Sequence, residues 1–161
     1  MGKEHRILGV DPGTLVTGYG IIEPNGSRLQ AVDYGCIRPP RNFSLHDRFW
    51  ILFTSLQAVI EEHRPHVAVF ETQYVHKNVQ SALTLGTARG VILAAARQKG
   101  LQLAEYTPKE SKRAVTGNGN AAKSQVQKMV QQLLSLREMP QPADAADALA
   151  LAICYIHGVK R

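Results

Sequence analysis

No stretch of this 161-residue chain approaches the ~20 consecutive apolar residues that a membrane span requires. The first six residues, Met1 to Arg6, also lack the apolar segment of a signal peptide. Together these absences point to a cytoplasmic protein with no membrane partner. Cysteine is scarce. Cys36 lies in a strand-like run and Cys154 in an apolar helix-like run, and they form no metal-ligating pair. They read as small buried hydrophobes in a reducing compartment. His66, His76 and His157 share no zinc-type spacing with one another or with cysteine. Repeats, low-complexity tracts and long linkers are absent as well. The nearest thing to a linker, Arg38-Pro39-Pro40-Arg41-Asn42, is too short to separate two large domains. One domain spanning 1–161 is the expectation. Acids are few, 13 against 19 lysines and arginines, for a net charge of +6. A basic surplus favours a polyanionic partner, although solubility alone would explain it too.

What is present is a series of short apolar runs broken by turn residues. Arg6 to Asp11, Gly18 to Glu23 and Leu29 to Arg38 read as strands. Pro24-Asn25-Gly26-Ser27 reads as the hairpin turn between the second and third. Apolar residues from Leu45 to Ile60 fall at helical spacing, with Ser44 and Asp47 resembling a capping box. The unalternating run His66 to Glu71 predicts a strand buried on both faces. A helix over about 78–99 should end at Gly100. A strand at 102–106 and helices near 109–115, 121–136 and from Pro142 to Gly158 complete the chain. The order predicts an α/β fold. Its mixed five-stranded sheet would have three antiparallel strands, then two further strands, flanked by helices.

Four carboxylates stand in unusual places. Asp11 ends the apolar run Ile7-Leu8-Gly9-Val10, and Glu71 ends Val67-Ala68-Val69-Phe70. Asp144 and Asp147 are three apart, hence on one helix face, in an alanine-rich segment. Both would sit on the first turn after Pro142, where the helix dipole favours their charged form. Each acid taken alone has an ordinary explanation: a turn aspartate, an exposed strand-end glutamate, a stabilised helix N-terminus. Taken together they are four oxygen ligands that need neutralising, which suits Mg²⁺ or Mn²⁺ better than zinc. Two such ions would support phosphodiester hydrolysis. Between Tyr106 and Arg137 six basic residues, Lys109, Lys112, Arg113, Lys123, Lys128 and Arg137, face Glu110 alone, with Glu105 and Glu138 just outside. Tyr74, just beyond Glu71, could stack on an unpaired base or simply fold over the core.

The ordered set of motifs resembles the RuvC family of Holliday-junction resolvases. It comprises Ile7-Leu8-Gly9-Val10-Asp11-Pro12-Gly13-Thr14, Gly18-Tyr19-Gly20, Glu71, Lys77-Asn78, Ser81-Ala82-Leu83, Leu85-Gly86 and Ala88-Arg89-Gly90. Lys123-Ser124-Gln125-Val126-Gln127 and Asp144 to Ala150 follow. The resemblance implies a ribonuclease-H-like fold and a homodimer with two active sites. It implies metal-dependent cutting of two opposed strands of a four-way DNA junction in recombination and repair, leaving ligatable nicks. By position it makes Asp11, Glu71, Asp144 and Asp147 the catalytic, metal-binding set for two Mg²⁺ ions, with Mn²⁺ as a substitute and Asp11 bridging both. Tyr74, Lys77, Lys112, Arg113 and Lys123 become the DNA-binding candidates, Tyr74 falling where relatives often carry phenylalanine. Junction-recognition and branch-migration motors of the RuvA and RuvB type are the implied protein partners. The helix over 78–99, with Gly86 four before Gly90, is the candidate dimer surface.

Three other readings compete. Actin-like and sugar-kinase ATPases carry a similar Asp-X-Gly-Thr, but they need two such domains around a nucleotide. A non-catalytic branched-DNA binder would leave four acids superfluous. A nuclease of the same fold acting on another nucleic acid would keep the acids and change the substrate.

Overall fold

A computed structural model describes residues 5–72 and 77–158. Among the described residues five strands are formed: β1 (Ile7–Asp11), β2 (Thr17–Asn25), β3 (Arg28–Ile37), β4 (Val67–Glu71) and β5 (Gln102–Tyr106). They lie in the order β3-β2-β1-β4-β5. The first three form an antiparallel meander, and β4 and β5 add to β1 in parallel. This is the expected mixed sheet.

The hairpin turn is tighter than expected. Pro24 and Asn25 belong to β2, and Gly26 and Ser27 alone form the loop, with Gly26 at a positive φ of 62°. A glycine first in a two-residue loop is the preference of a type II′ turn. Pro24 is tolerated in an inner strand because pairing with β1 has already ended at Ile22, so the proline breaks no bond on that side.

Two helices cover one face of the sheet. They are α1 (Leu45–His63) and α2 (Val79–Gln98). The other face takes α3 (Pro108–Thr116), α4 (Lys123–Leu133) and α5 (Ala143–Gly158). Strand alternation divides the core between them. Ile7, Ile22, Val67 and Val69 pack towards α3, α4 and α5, while Leu8, Val10, Ile21, Ala68 and Phe70 pack towards α1 and α2.

Helix ends refine the sequence expectations. Ser44 Oγ accepts from the Asp47 N–H at 3.2 Å, but this cap carries no reciprocal bond, because aspartate is one methylene shorter than the usual glutamate. A complete capping box forms instead at Thr107 and Glu110, a pair the sequence reading passed over. Gly100 ends α2 at φ 81° as expected. The absence of any membrane-length segment needs correcting: α2 is long and apolar enough, by length and composition, to cross a membrane. Glycine, alanine and threonine interspersed with leucine and valine give it that character without a long unbroken apolar run. One side of it, Ala88, Ile92, Ala95 and Ala96, is buried against the sheet and α1, and the rest is largely exposed.

Candidate active site

The site is built by strand parity and a glycine seam. Asp11 shares the face of Ile7 and Gly9, and Glu71 that of Val67 and Val69, so both acids emerge on the α5 side. Val10 pairs with Phe70, which makes Asp11 and Glu71 neighbours at adjacent strand ends. On that same side the sheet presents Gly9, Gly18 and Gly20. A Cβ on Gly9 would lie 1.8 Å from the Ala148 carbonyl oxygen, and one on Gly18 would lie 2.1 Å from that of Asp144. On Gly20 it would meet Leu149 at 2.6 Å. Bare backbone on the sheet and alanine on the helix let α5 settle almost directly on β1 and β2.

That close approach brings α5's acids to the end of β1. Carboxylate oxygens of Asp11, Asp144 and Asp147 lie within 4.8 Å of one another. Glu71 is not part of this trio. It lines, with Asp147, Ser111, Lys112 and Lys123, a neighbouring cavity of about 230 Å³. Three of the four predicted acids thus meet closely, and Glu71 stands beside them, next to Asp11 at the adjacent strand end and sharing a cavity with Asp147. The dipole argument also needs correcting. Asp144 alone lies in the first turn of α5, and Asp147 sits a turn further in.

The electrostatics follow from this crowding. Burial, then the charges of Asp147, Glu71 and Asp144, push the Asp11 carboxyl up to about 8, against a partial pull down from Lys123. Burial and then Asp147 raise Glu71, while Lys112 and Lys123 draw it down. Burial also raises Asp147, opposed chiefly by Lys123, whose Nζ lies 3.2 Å from Asp147 Oδ2. Asp147's burial outweighs whatever the helix dipole contributes so far from the helix end. A set of hard oxygen donors carrying surplus negative charge is what a divalent cation of the Mg²⁺ class fits.

The other candidates are distributed unevenly. Lys112 and Lys123 line the acidic cavity. Arg113, on the same helix as Lys112, is exposed and lines a separate cavity of about 600 Å³ bounded by β5, α3 and the end of α5. Lys77 is exposed just before the α2 cap residue Asn78. Tyr74 lies outside the described residues. Ser111, buried and facing the cavity, escaped the sequence reading because a lone serine carries no spacing signal. Cys36 was expected to be buried but is only partly so. It pairs with Gly18 across the sheet, and burial followed by the nearby Asp144 charge raises its thiol.

Comparison with known proteins identifies the family and agrees with the fold. Residues 7–155 match the family described as crossover junction endodeoxyribonuclease RuvC. The chain belongs to that family. The enzyme of that description from Protochlamydia amoebophila is 53% identical over 155 residues, covering 96% of this chain and 92% of the relative. The one from Heliobacterium modesticaldum is also 53% identical, over 154 residues, 95% of this chain and 94% of the relative. Among solved structures, Thermus thermophilus RuvC in complex with a Holliday junction substrate superposes with a TM-score of 0.91 at 28% identity, over 98% of this chain and 96% of that one. The yeast mitochondrial Holliday junction resolvase shares the fold, with a TM-score of 0.67 at 15% identity, over 97% of this chain and 81% of its own. The fold is therefore ribonuclease-H-like and the chain is a RuvC-type endodeoxyribonuclease. Its activity is metal-dependent resolution of four-way DNA junctions in recombination and repair.

Proposed function

We propose that this chain acts as one nuclease domain, residues 1–161, that hydrolyses phosphodiesters on two opposed strands of a four-way junction with two Mg²⁺ ions per site. The observation that carries the reading is the meeting of Asp11, Asp144 and Asp147 within 4.8 Å, with Glu71 on the adjacent strand end and in the cavity that Asp147 also lines. Asp11, Asp144 and Asp147 would hold one ion, and Glu71, on the neighbouring strand end, would help to hold the second. Mn²⁺ satisfies the same oxygen donors. Such ions supply an activated water and neutralise charge on the attacking and leaving oxygens. The chain's own share is positional. The carboxylates are fixed by strand ends and a close-packed helix. Lys112 and Lys123 bring positive charge to the same cavity and offset the repulsion that four acids exert on a phosphate. Lys123 is 61% exposed at its side chain, free to follow the backbone of a bound strand.

A homodimer fits the outer face of α2. Val79 and Leu83 are 71% and 61% exposed, and nothing lies within 4 Å of where a Cβ would stand on Gly86 or Gly90. A two-fold pair would present two sites to two equivalent strands, whose nicks a ligase could then seal. Partners of the RuvA and RuvB type, and a DNA-contact role for Tyr74, Lys77 and Arg113, follow from the family reading.

The test is a nicking assay on a synthetic four-way junction, alongside a linear duplex and an RNA–DNA hybrid. Wild-type protein with Mg²⁺ should cut the junction in preference to the others. Asp11→Asn should bind it and lose more than the ~10–100-fold that removing an outer-shell partner costs. Cutting that persists in EDTA, or is undiminished in Asp11→Asn, contradicts the two-metal reading.

A further inference from the structure

Beyond the acids, one row of residues crosses the sheet at the level of the active site. Asp11 pairs with Gly18, and Gly18 pairs with Cys36. Cys36 feels the charges of Asp144, Arg38 and Asp11, which ties this edge of the sheet to the acids on one side and to Arg38 on the other. Two residues past Cys36 the chain leaves β3 through Arg38-Pro39-Pro40-Arg41. Arg38 and Arg41 are exposed, Pro39 is buried, and the Phe43 N–H bonds to the Pro40 carbonyl at 3.2 Å, closing a turn. Neither arginine side chain has a hydrogen-bond or ion-pair partner among the described residues. The basic residue that follows, Arg48 on α1, is already used. Its guanidinium donates to the Thr14 carbonyl at 2.6 Å and ties α1 to the loop after Asp11. Asp47 is the one acid between Arg38 and Arg48.

Two strand spacings separate Asp11 from the Cys36 row, about 10 Å. That is roughly three base steps at ~3.4 Å per step along one strand. Lys112 and Lys123 flank the acids on the opposite side, towards β5. An exposed, proline-stiffened pair of cations without partners among the described residues, level with the cut site and on its far side, matches a phosphate backbone continuing past the scissile bond.

We propose that Arg38 and Arg41 form a second phosphate-binding edge, which holds a junction arm a few nucleotides from the cut on the β3 side. This deepens the junction-cutting reading and rests on it. Stiffness matters here, because a preordered loop loses little entropy when it meets DNA. The contacts would be to phosphate, so they position the arm without reading its sequence.

The experiment measures binding of a fixed four-way junction by the Asp11→Asn protein across a salt series, and steady-state cutting by the otherwise wild-type enzyme. Arg38→Ala/Arg41→Ala should make the log Kd against log salt slope shallower by about one per arginine. It should raise Kd roughly ten-fold at 0.1 M salt and raise KM with kcat retained. Arg38→Lys/Arg41→Lys should keep the wild-type slope, since the charge remains. Arg28→Ala, at the hairpin turn on the far end of the sheet, should change nothing. An unchanged slope in the alanine pair overturns the proposal. So does an equal loss in the lysine pair, which would assign the loop a structural role alone. If the unmodified enzyme fails to cut the junction while cutting another nucleic acid, the function reading falls and the arm-binding proposal falls with it.

Discussion

The two faces of the same sheet are built on different principles. Towards α1 and α2 the strands present Leu8, Val10, Ile21 and Phe70, and the gap is filled by side chains such as Leu52, Leu56 and Ile92. Towards α5 they present Gly9, Gly18 and Gly20 against an alanine-rich helix, and backbone nearly touches backbone. The first face supplies bulk, and its stability scales with apolar area removed from water. The second supplies position. Side chains can shift rotamers to absorb small changes, whereas backbone in contact with backbone has no such freedom. The acids stand on the second face, where their separation is fixed by contacts too short to adjust.

Substitution on each face should separate the two. Gly9→Val would force α5 away from β1 and is expected to abolish cutting, even where the protein folds. Gly9→Ala, the milder form, should cost about 1–3 kcal/mol by overpacking and still reduce kcat sharply. Leu56→Ala on the other face should cost about 2–5 kcal/mol from its cavity yet leave kcat per folded molecule near wild type. Urea denaturation paired with single-turnover cutting measures both quantities. If Leu56→Ala lowers kcat as much as Gly9→Ala does, the division of labour is wrong.

The site's charge offers a subtler test. Asp11 is held at about 8 in the folded chain without a cation, far above its unfolded value of 3.8. The folded form therefore binds this proton more tightly than the unfolded form. The associated stability is complete below about pH 4 and declines as pH rises towards about 8. In EDTA, melting temperature should fall across that window, and Mg²⁺ should restore more at pH 8 than at pH 6. Asp11→Asn should flatten the dependence. At pH 8 in EDTA it should raise stability by about 1–2 kcal/mol, roughly 3–6 °C for a chain of this size. A melting profile identical in wild type and Asp11→Asn would refute the assignment.

The smallest effect concerns the outer surface of α2. Leu83→Glu should change monomer stability by no more than about 0.5 kcal/mol, since the side chain is exposed. It should nevertheless lower the apparent mass in sedimentation if this face joins two copies. A dimer that survives the change would move the interface elsewhere.

Much of this was legible beforehand because local rules act over a few residues. Short apolar runs and turn residues placed the strands, helical spacing and helix-ending residues placed the helices, and the acids stood out against apolar neighbours. The errors have local causes. Pro24 entered a strand because β1 ended first, a fact about pairing rather than about proline. Asp147 lay beyond the first turn because α5 starts at Ala143, which left burial to dominate its titration. Arg113 was grouped with Lys112 by sequence, yet neighbours on a helix point about 100° apart, and it lines another cavity.

The sequence by itself determined which acids are the candidates for the chemistry and which face of each strand Asp11 and Glu71 would occupy, because side-chain direction follows from strand period. Tertiary structure decided how the four acids are shared out: Asp11, Asp144 and Asp147 within 4.8 Å, and Glu71 beside them on the neighbouring strand end. That division depends on the height and register at which α5 rests on β1 and β2. Gly9, Gly18 and Gly20 allow that approach only because strands distant in sequence lie side by side in the sheet.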